Sequence, residues 1–230
     1  MIVILNFLYY LSNKNPHDSS PVHEKASHGF RSMGIWGINF RPQKLVCVGR
    51  NYAAHAQELG NSVPDEPVLF IKPGSALSNR LLATDRIGIR FEGEIALLIR
   101  GVRPVAVALD LTLQDLQNSL KEKGLPWERS KAFRESALLG PFVALPDGME
   151  HLSLELFINE ELRQKGGVTD MLFPPDRLIK EIDREFGLED NDVILTGTPA
   201  GAAGFKAGDR FDGRILYKGG VIASASWVAE

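Results

Sequence analysis

From Lys44 to the C-terminus the chain is a succession of short apolar runs with the two-residue period of strands. Only two segments carry the 3.6-residue period of a long amphipathic helix. A helical bundle and a doubly wound parallel sheet both need more helix than this, so the pattern predicts an α+β, β-rich fold. "KLVCVG", "EPVLFIKPG", "RFEGEIALLI" and "VAVALDLT" read as strands, in that order. "LSLELFINEELRQKGG" reads as a hairpin turning near Asn159-Glu160. "VILTGTPAGAAG" reads as a strand running into a glycine-rich loop, and the segment from Gly208 onward supplies the last strands. "NYAAHAQELG" is a short helix with Asn51 expected as N-cap and Gly60 as stop. "TLQDLQNSLKEKG" is amphipathic, with Thr112 and Asp115 spaced as a capping box and Gly124 as its stop. "PDRLIKEIDREFG" is the second long helix, stopped by Gly187.

The strand "RFEGEIALLI" poses the chemical question. Alternation puts Phe91, Gly93, Ile95, Leu97 and Ile99 on one face and Glu92, Glu94, Ala96 and Leu98 on the other. Two carboxylates on a face that continues as Ala and Leu are costly unless a positive charge lies between them or the strand end reaches solvent. Asp110 closes another apolar strand. It is either a third oxygen ligand or an acid helping the N-terminus of the helix that follows. His55 and Glu58, three apart on a helix, share a face. They form either a base with its orienting carboxylate or a surface pair. Lys72 and Lys131 stand among apolar residues, where a lysine either stabilises a developing enolate or snorkels to solvent.

Several function classes are excluded or disfavoured. Hydrophobic residues at 44% and charged residues at 24% predict a packed core rather than disorder. A net charge of −3 with both signs interspersed argues against a nucleic-acid partner. There is no Walker motif, no G-x-G-x-x-G after a strand, no H-E-x-x-H and no G-x-S-x-G. The only cysteine, Cys47, allows neither an internal disulfide nor a cysteine-based zinc site, and its apolar neighbours predict a buried thiol. The N-terminal "MIVILNFLYYL" is too short to span a bilayer and lacks a basic flank, so no membrane association is expected and the cytoplasm is the predicted location. Residues 1–33, which include His17, His23 and His28, are read as an extension outside the fold, and residues 34–230 as one catalytic domain.

"GRNYAAHAQEL", "EPVLFIKPGSAL", "FEGEIALLI", "ALDLTLQDLQ", "KGLPWERSKAF" and "ILTGTPAGA" occur in this order. Together they resemble the fumarylacetoacetate hydrolase superfamily, in its acylpyruvase-like and fumarylpyruvate hydrolase-like branch. The resemblance runs from about Lys44 to the C-terminus. It implies a mixed β-sandwich roll with a few peripheral helices, usually a homodimer. It implies Mg²⁺ or Mn²⁺ on Glu92, Glu94 and Asp110, a water-activating dyad of His55 and Glu58, and an active-site Lys131. Arg50, Lys72, Gln114, Gln117 and Thr198 match positions that bind substrate or support those that do.

The implied reaction is hydrolysis of the C–C bond of a 3-acylpyruvate, releasing pyruvate and a carboxylic acid. The alternatives are oxaloacetate decarboxylation or enol–keto isomerisation on the same metal site, or a vestigial protein that only folds and dimerises. Two departures stand out. Gln114 occupies a position where close relatives usually carry arginine for the substrate carboxylate. Only residues 95–109 separate Glu94 from Asp110, where the family normally inserts a helix; a parallel crossover would need more chain than "RGVRP" offers.

Overall fold

A computed structural model describes residues 33–35, 38–58, 60, 62–83, 88–101, 103–145 and 147–230. Apart from Met33, the expected extension over residues 1–33 lies outside the described residues. Met33–Ile35 (β1) and Ile38–Phe40 (β2) form a small antiparallel hairpin. The rest is two packed sheets. The larger contains Lys44–Gly49 (β3), Val68–Pro73 (β4), Leu77–Ser78 (β5), Ile89–Leu98 (β6), Val105–Leu113 (β7), Ala137–Leu139 (β8) and Val193–Leu195 (β11), in the order β4-β3-β11-β6-β7-β8-β5. Ala203–Gly204 (β12) adds to β6. The smaller sheet holds Leu152–Ile158 (β9), Glu161–Gly167 (β10), Arg210–Tyr217 (β13) and Gly220–Val228 (β14), in the order β10-β9-β13-β14. Parallel pairs, β11 with β3 and β5 with β8, interrupt an otherwise antiparallel arrangement, so the architecture is the mixed, β-rich α+β fold expected.

β6 and β7 are apolar on both faces because both are covered. Ile95, Leu97, Val105 and Val107 pack against Leu152, Leu154 and Ile215 of the smaller sheet. Ala96, Leu98, Ala106 and Ala108 point the other way, into a second cluster with Leu45 and Cys47. Each fully buried Leu or Ile in these layers stabilises the fold by about 1.5–3 kcal/mol. Gly213 marks the close approach of the sheets, since a Cβ there would come 2.5 Å from Val107 Cγ1.

The β6–β7 connection departs from expectation. The strands pair antiparallel, with Glu92 opposite Asp110 and Glu94 opposite Ala108. An antiparallel pair needs only a tight turn, not a crossover, so the short connection leaves Asp110 in register with the glutamates.

The helices are peripheral: Ala53–Glu58 (α1), Gln114–Glu122 (α2), Glu128–Lys131 (α3) and Pro175–Phe186 (α4). In α4 Pro175 presets the first turn, Leu178 and Ile182 are buried, and Gly187 at φ 61° ends the helix, as the sequence predicts. Two capping expectations are corrected. Asn51 does not cap α1; its amide donates to the Phe173 and Thr196 carbonyls and its oxygen accepts the Phe173 N–H, so it fastens the chain before the helix. Thr112 belongs to β7, α2 begins two residues later, and no side chain caps it. The β9–β10 turn is as expected: Asn159 and Glu160 both have positive φ, at 51° and 70°, the pairing a two-residue hairpin favours.

Candidate active site

Strand parity gathers the acids. Glu92 and Glu94 leave β6 on the same face, and Asp110 joins them from the adjacent strand in direct register. Carboxylate oxygens of the three lie within 4.8 Å of one another, with Glu94 and Asp110 buried and Glu92 nearly so. The solvent-facing strand end and the helix-terminus acid are therefore excluded as explanations of these residues.

Two ammonium groups enter the cluster. Lys131 Nζ, from the last turn of α3, donates to Glu92 Oε2 at 2.7 Å, Asp110 Oδ2 at 3.1 Å and Thr112 Oγ1 at 2.6 Å. Its hydrogens are all taken, and it acts here as a counter-ion. Thr112 passes the chain on, donating to Glu92 Oε1 at 3.0 Å. Lys72 Nζ lies 2.8 Å from Asp110 Oδ1. This contact is a buried ion pair, both side chains being fully enclosed. Lys72 Nζ also lies within hydrogen-bonding reach of the carbonyls of Leu111, Lys131 and Ser136 and of Ser136 Oγ, so its three hydrogens are shared among these acceptors. Lys72 is wholly buried beneath the cluster, so it supports Asp110 and does not line the cavity as a substrate-binding residue would.

Three carboxylates thus face two ammonium groups, and among the described residues Glu94 has no ion-pair partner. It accepts a hydrogen bond from the Gly197 N–H, at 2.6 Å to Oε2. Burial, then the charges of Asp110 and Glu92, hold the Glu94 carboxyl well above the usual carboxylate range. Burial also opposes ionisation of Glu92, but the charge and hydrogen bond of Lys131, with His55 and Thr112, outweigh it and bring that carboxyl below its ordinary value. Burial opposes the charge on Lys131 too; Asp110 and Glu92 overcome it and raise the ammonium above its usual range. An uncompensated buried carboxylate beside two others, all hard oxygen donors, fits Mg²⁺ or Mn²⁺ well.

The dyad is formed. His55 is buried, and its Nδ1 lies 3.2 Å from Glu58 Oε2. Glu58 in turn accepts the Gly201 N–H at 3.2 Å. With Nδ1 committed, Nε2 is the nitrogen left for chemistry, and His55 lines the same cavity as Glu92 and Glu94. That cavity measures about 40 Å³ and also meets Arg50, Gln117 and Thr198. Gln114 does not line it. Its amide nitrogen is spent on Gln117 Oε1 at 3.4 Å and Asn118 Oδ1 at 2.9 Å. Cys47 is fully buried, and burial raises its thiol, in keeping with an inert core residue.

Sequence reasoning missed several participants. Lys121 and Trp127 line the cavity, with Lys121 Nζ 4.7 Å from the Trp127 ring centroid. Burial, followed by Arg50, lowers the Lys121 ammonium. In the sequence Thr112 reads as a cap, and Ser136 carries no signal. Gln164 is a polar residue at an inward-facing strand position, and that parity was the available clue.

A trio of hard carboxylates on a curled mixed sheet, with a histidine–carboxylate pair facing it, is a centre of the kind that takes a divalent cation. Residues 44–224 match the family described as fumarylacetoacetate (FAA) hydrolase, C-terminal, and the chain belongs to that family. It is 37% identical over 203 residues to the oxaloacetate tautomerase YcgM of Escherichia coli (strain K12), covering 78% of this chain and 93% of that one. It is 42% identical over 196 residues to the mitochondrial oxaloacetate tautomerase FAHD1 of Arabidopsis thaliana, covering 75% and 86%. Among solved structures it resembles the fumarylpyruvate hydrolase of Pseudomonas aeruginosa in complex with Mn²⁺ and pyruvate, at a TM-score of 0.78 and 30% identity over 90% of this chain and 99% of that one. No helix among the described residues is long and apolar enough to cross a membrane.

Proposed function

We propose that this protein interconverts the enol and keto forms of oxaloacetate, or of a similarly small 2-oxo acid, at a divalent-metal site. The observation that carries this reading is the meeting of Glu92 and Glu94 with His55 in one small cavity, with a carboxylate oxygen of the buried Asp110 within 4.8 Å of those of the two glutamates. The acylpyruvate hydrolysis implied by the sequence motifs becomes the second reading, because the two curated relatives described above are tautomerases. A homodimer in the cytoplasm remains part of the proposal.

Glu92, Glu94 and Asp110 would hold Mg²⁺ or Mn²⁺, and a bound dication supplies Lewis-acid polarisation of the 2-oxo acid oxygens. The chain's own residues do the rest. Keto–enol conversion moves one proton between C3 and the C2 oxygen, with no net change in atoms. His55 Nε2 takes the C3 proton of the keto form and delivers it to the C2 oxygen, and carries it back the other way in ketonisation, while Glu58 at Nδ1 fixes the ring and supports its positive form. Arg50 and Lys121 give the cavity cationic groups for the two carboxylates of a C4 diacid. Burial of His55 keeps bulk water from the exchanging proton.

One feature favours hydrolysis as the second reading. An apolar groove of about 460 Å³ opens beside the site and shares Val68, Phe70, Trp127 and Lys131 with it, which suits an acyl tail. There His55 would take a proton from water, the hydroxide would attack the distal carbonyl, and the C–C bond would break with its electron pair left on C3 of pyruvate.

Loss of the ultraviolet enol absorbance of oxaloacetate tests the proposal, run with Mn²⁺, with Mg²⁺ and after chelation, beside cleavage assays on acetylpyruvate and fumarylpyruvate. Metal-dependent acceleration of ketonisation is expected. A rate equal to buffer at saturating Mn²⁺ overturns the tautomerase reading, and metal-dependent release of pyruvate from acetylpyruvate replaces it with the hydrolase.

A further inference from the structure

We propose that Gln164, which reaches the site from the smaller sheet, is the positioning residue that sets the carboxylate strand and the His55–Glu58 dyad in one fixed geometry. This rests on the reading of the site given above and extends it to a residue outside the cavity lining.

The side-chain amide of Gln164 is fully used. Its Oε1 accepts the Gly93 N–H at 2.8 Å, and its Nε2 donates to Thr198 Oγ1 at 2.7 Å and to the Pro199 carbonyl at 2.8 Å. A backbone N–H can only donate and a carbonyl can only accept, so the amide has one possible orientation. Thr198 Oγ1 closes the ring by donating to the Gly93 carbonyl at 2.8 Å. Gly93 stands between Glu92 and Glu94, and both of its peptide polar groups are held by this ring.

β6 needs such a clamp at this point. On the side of β6 away from β7, β11 pairs with Ala96–Leu98 and β12 with Arg90 and Phe91, leaving the stretch around Gly93 without a strand partner on that side. Gln164 and Thr198 satisfy the backbone there instead. From the same gap the loop 196–202 departs, and it carries two backbone donors of the site. Gly197 N–H bonds Glu94, and Gly201 N–H bonds Glu58. One side chain therefore ties the ligand strand to the loop that orients both the unpaired ligand and the dyad's carboxylate.

The local fold is arranged to deliver it. β10 is exposed from Glu161 to Arg163, but its pairing with β9 shifts between Leu162 and Gln164, and Gln164 is 1% exposed. A bulge of this kind re-aims a side chain. The glycines nearby leave room: a Cβ on Gly93 would come 2.9 Å from Gln164 Oε1, and one on Gly201 would collide with the Arg163 carbonyl.

The test uses the full chain with Mn²⁺ and two variants, Gln164→Leu and the isosteric Gln164→Glu, which keeps the acceptor for Gly93 but loses both donors. Turnover, KM, Mn²⁺ affinity by calorimetry and backbone hydrogen exchange are measured on each. Both variants should lose turnover on the order of a hundredfold at little-changed KM, as small misplacements of reacting groups do. Exchange at Gly197 and Gly201 should accelerate by about tenfold or more, with strands β9 and β13 unchanged. Unchanged turnover per bound Mn²⁺ overturns the proposal, as does exchange that is unchanged at these glycines or raised evenly across the fold. Should the wild type turn over none of the substrates, the functional reading fails, and the exchange comparison alone still decides whether Gln164 holds the loop.

Discussion

Lys72 Nζ lies 2.8 Å from Asp110 Oδ1 although three strands separate β4 from β7 in the larger sheet. In a flat sheet four interstrand spacings would put these strands about 19 Å apart. The ion pair exists because the sheet curls, and it closes across the concave face that carries the carboxylates.

Lys72→Met tests how far that closure holds the fold. Removing one member of a buried pair leaves the other charge uncompensated, which typically costs about 3–5 kcal/mol. Denaturant unfolding of the metal-free protein should show a loss of this order. A change of ~1 kcal/mol or less, the scale of an exposed ion pair, would show that Lys131 alone suffices for Asp110.

Glu94 makes the metal-free protein sensitive to pH. Its carboxyl is raised in the folded state by burial and by Asp110 and Glu92, against an ordinary value of 4.5 in the unfolded chain. The folded protein therefore binds this proton more tightly. The resulting stability is fully present below the unfolded value and is lost as pH rises through the folded one. Melting temperature in chelator should fall from pH 5 toward pH 8, and Glu94→Gln should flatten that slope while abolishing Mn²⁺ binding. A variant with the wild-type slope removes Glu94 as its source.

His55→Asn separates proton transfer from metal binding. General acid–base contributions are typically 10²–10⁴-fold, so turnover should drop by about that factor. Calorimetric Mn²⁺ affinity should stay close to that of the wild type, because the hydrogen-bond partner of His55 is Glu58 and not one of the three clustered acids. If affinity falls in step with turnover, the histidine belongs to the metal centre and not to the dyad.

Gly197→Ala probes the donor to Glu94. Gly197 has φ +100°, and an added Cβ would come 2.8 Å from Asn51 Cβ and 3.0 Å from the Val48 carbonyl. Backbone strain of this kind costs on the order of 1–3 kcal/mol. The loop must shift to relieve it, so melting temperature and Mn²⁺ affinity should both decline; a drop in stability with wild-type affinity would show that the N–H bond to Glu94 is dispensable.

Local periodicity was enough to set which residues share a face. Alternation along "RFEGEIALLI" put Glu92 and Glu94 together on one side of a strand, and a spacing of three put His55 beside Glu58 on one turn of helix. The Asn159–Glu160 turn and the glycine after α4 follow the same logic, since backbone sterics over a few residues decide them. Motif order then carried the family and singled out the acidic trio that the fold brings together.

What the sequence left undecided were the partners of those faces. Whether β7 runs antiparallel to β6, and so sets Asp110 opposite Glu92 without any crossover, depends on strand pairing between separated segments. Lys72 reads as a candidate for the substrate, but the curl of the sheet drives it under Asp110. Thr112 reads as a helix cap, but strand β7 extends through it and turns its hydroxyl to Glu92 and Lys131. Gln164 sits 71 residues from Gly93 and acquires its role only when a bulge in the smaller sheet faces the gap beside β6. Short-range sterics and periodicity are written in neighbouring residues. Long-range contacts depend on how sheets curl and pack, which is settled by the burial of the whole chain at once.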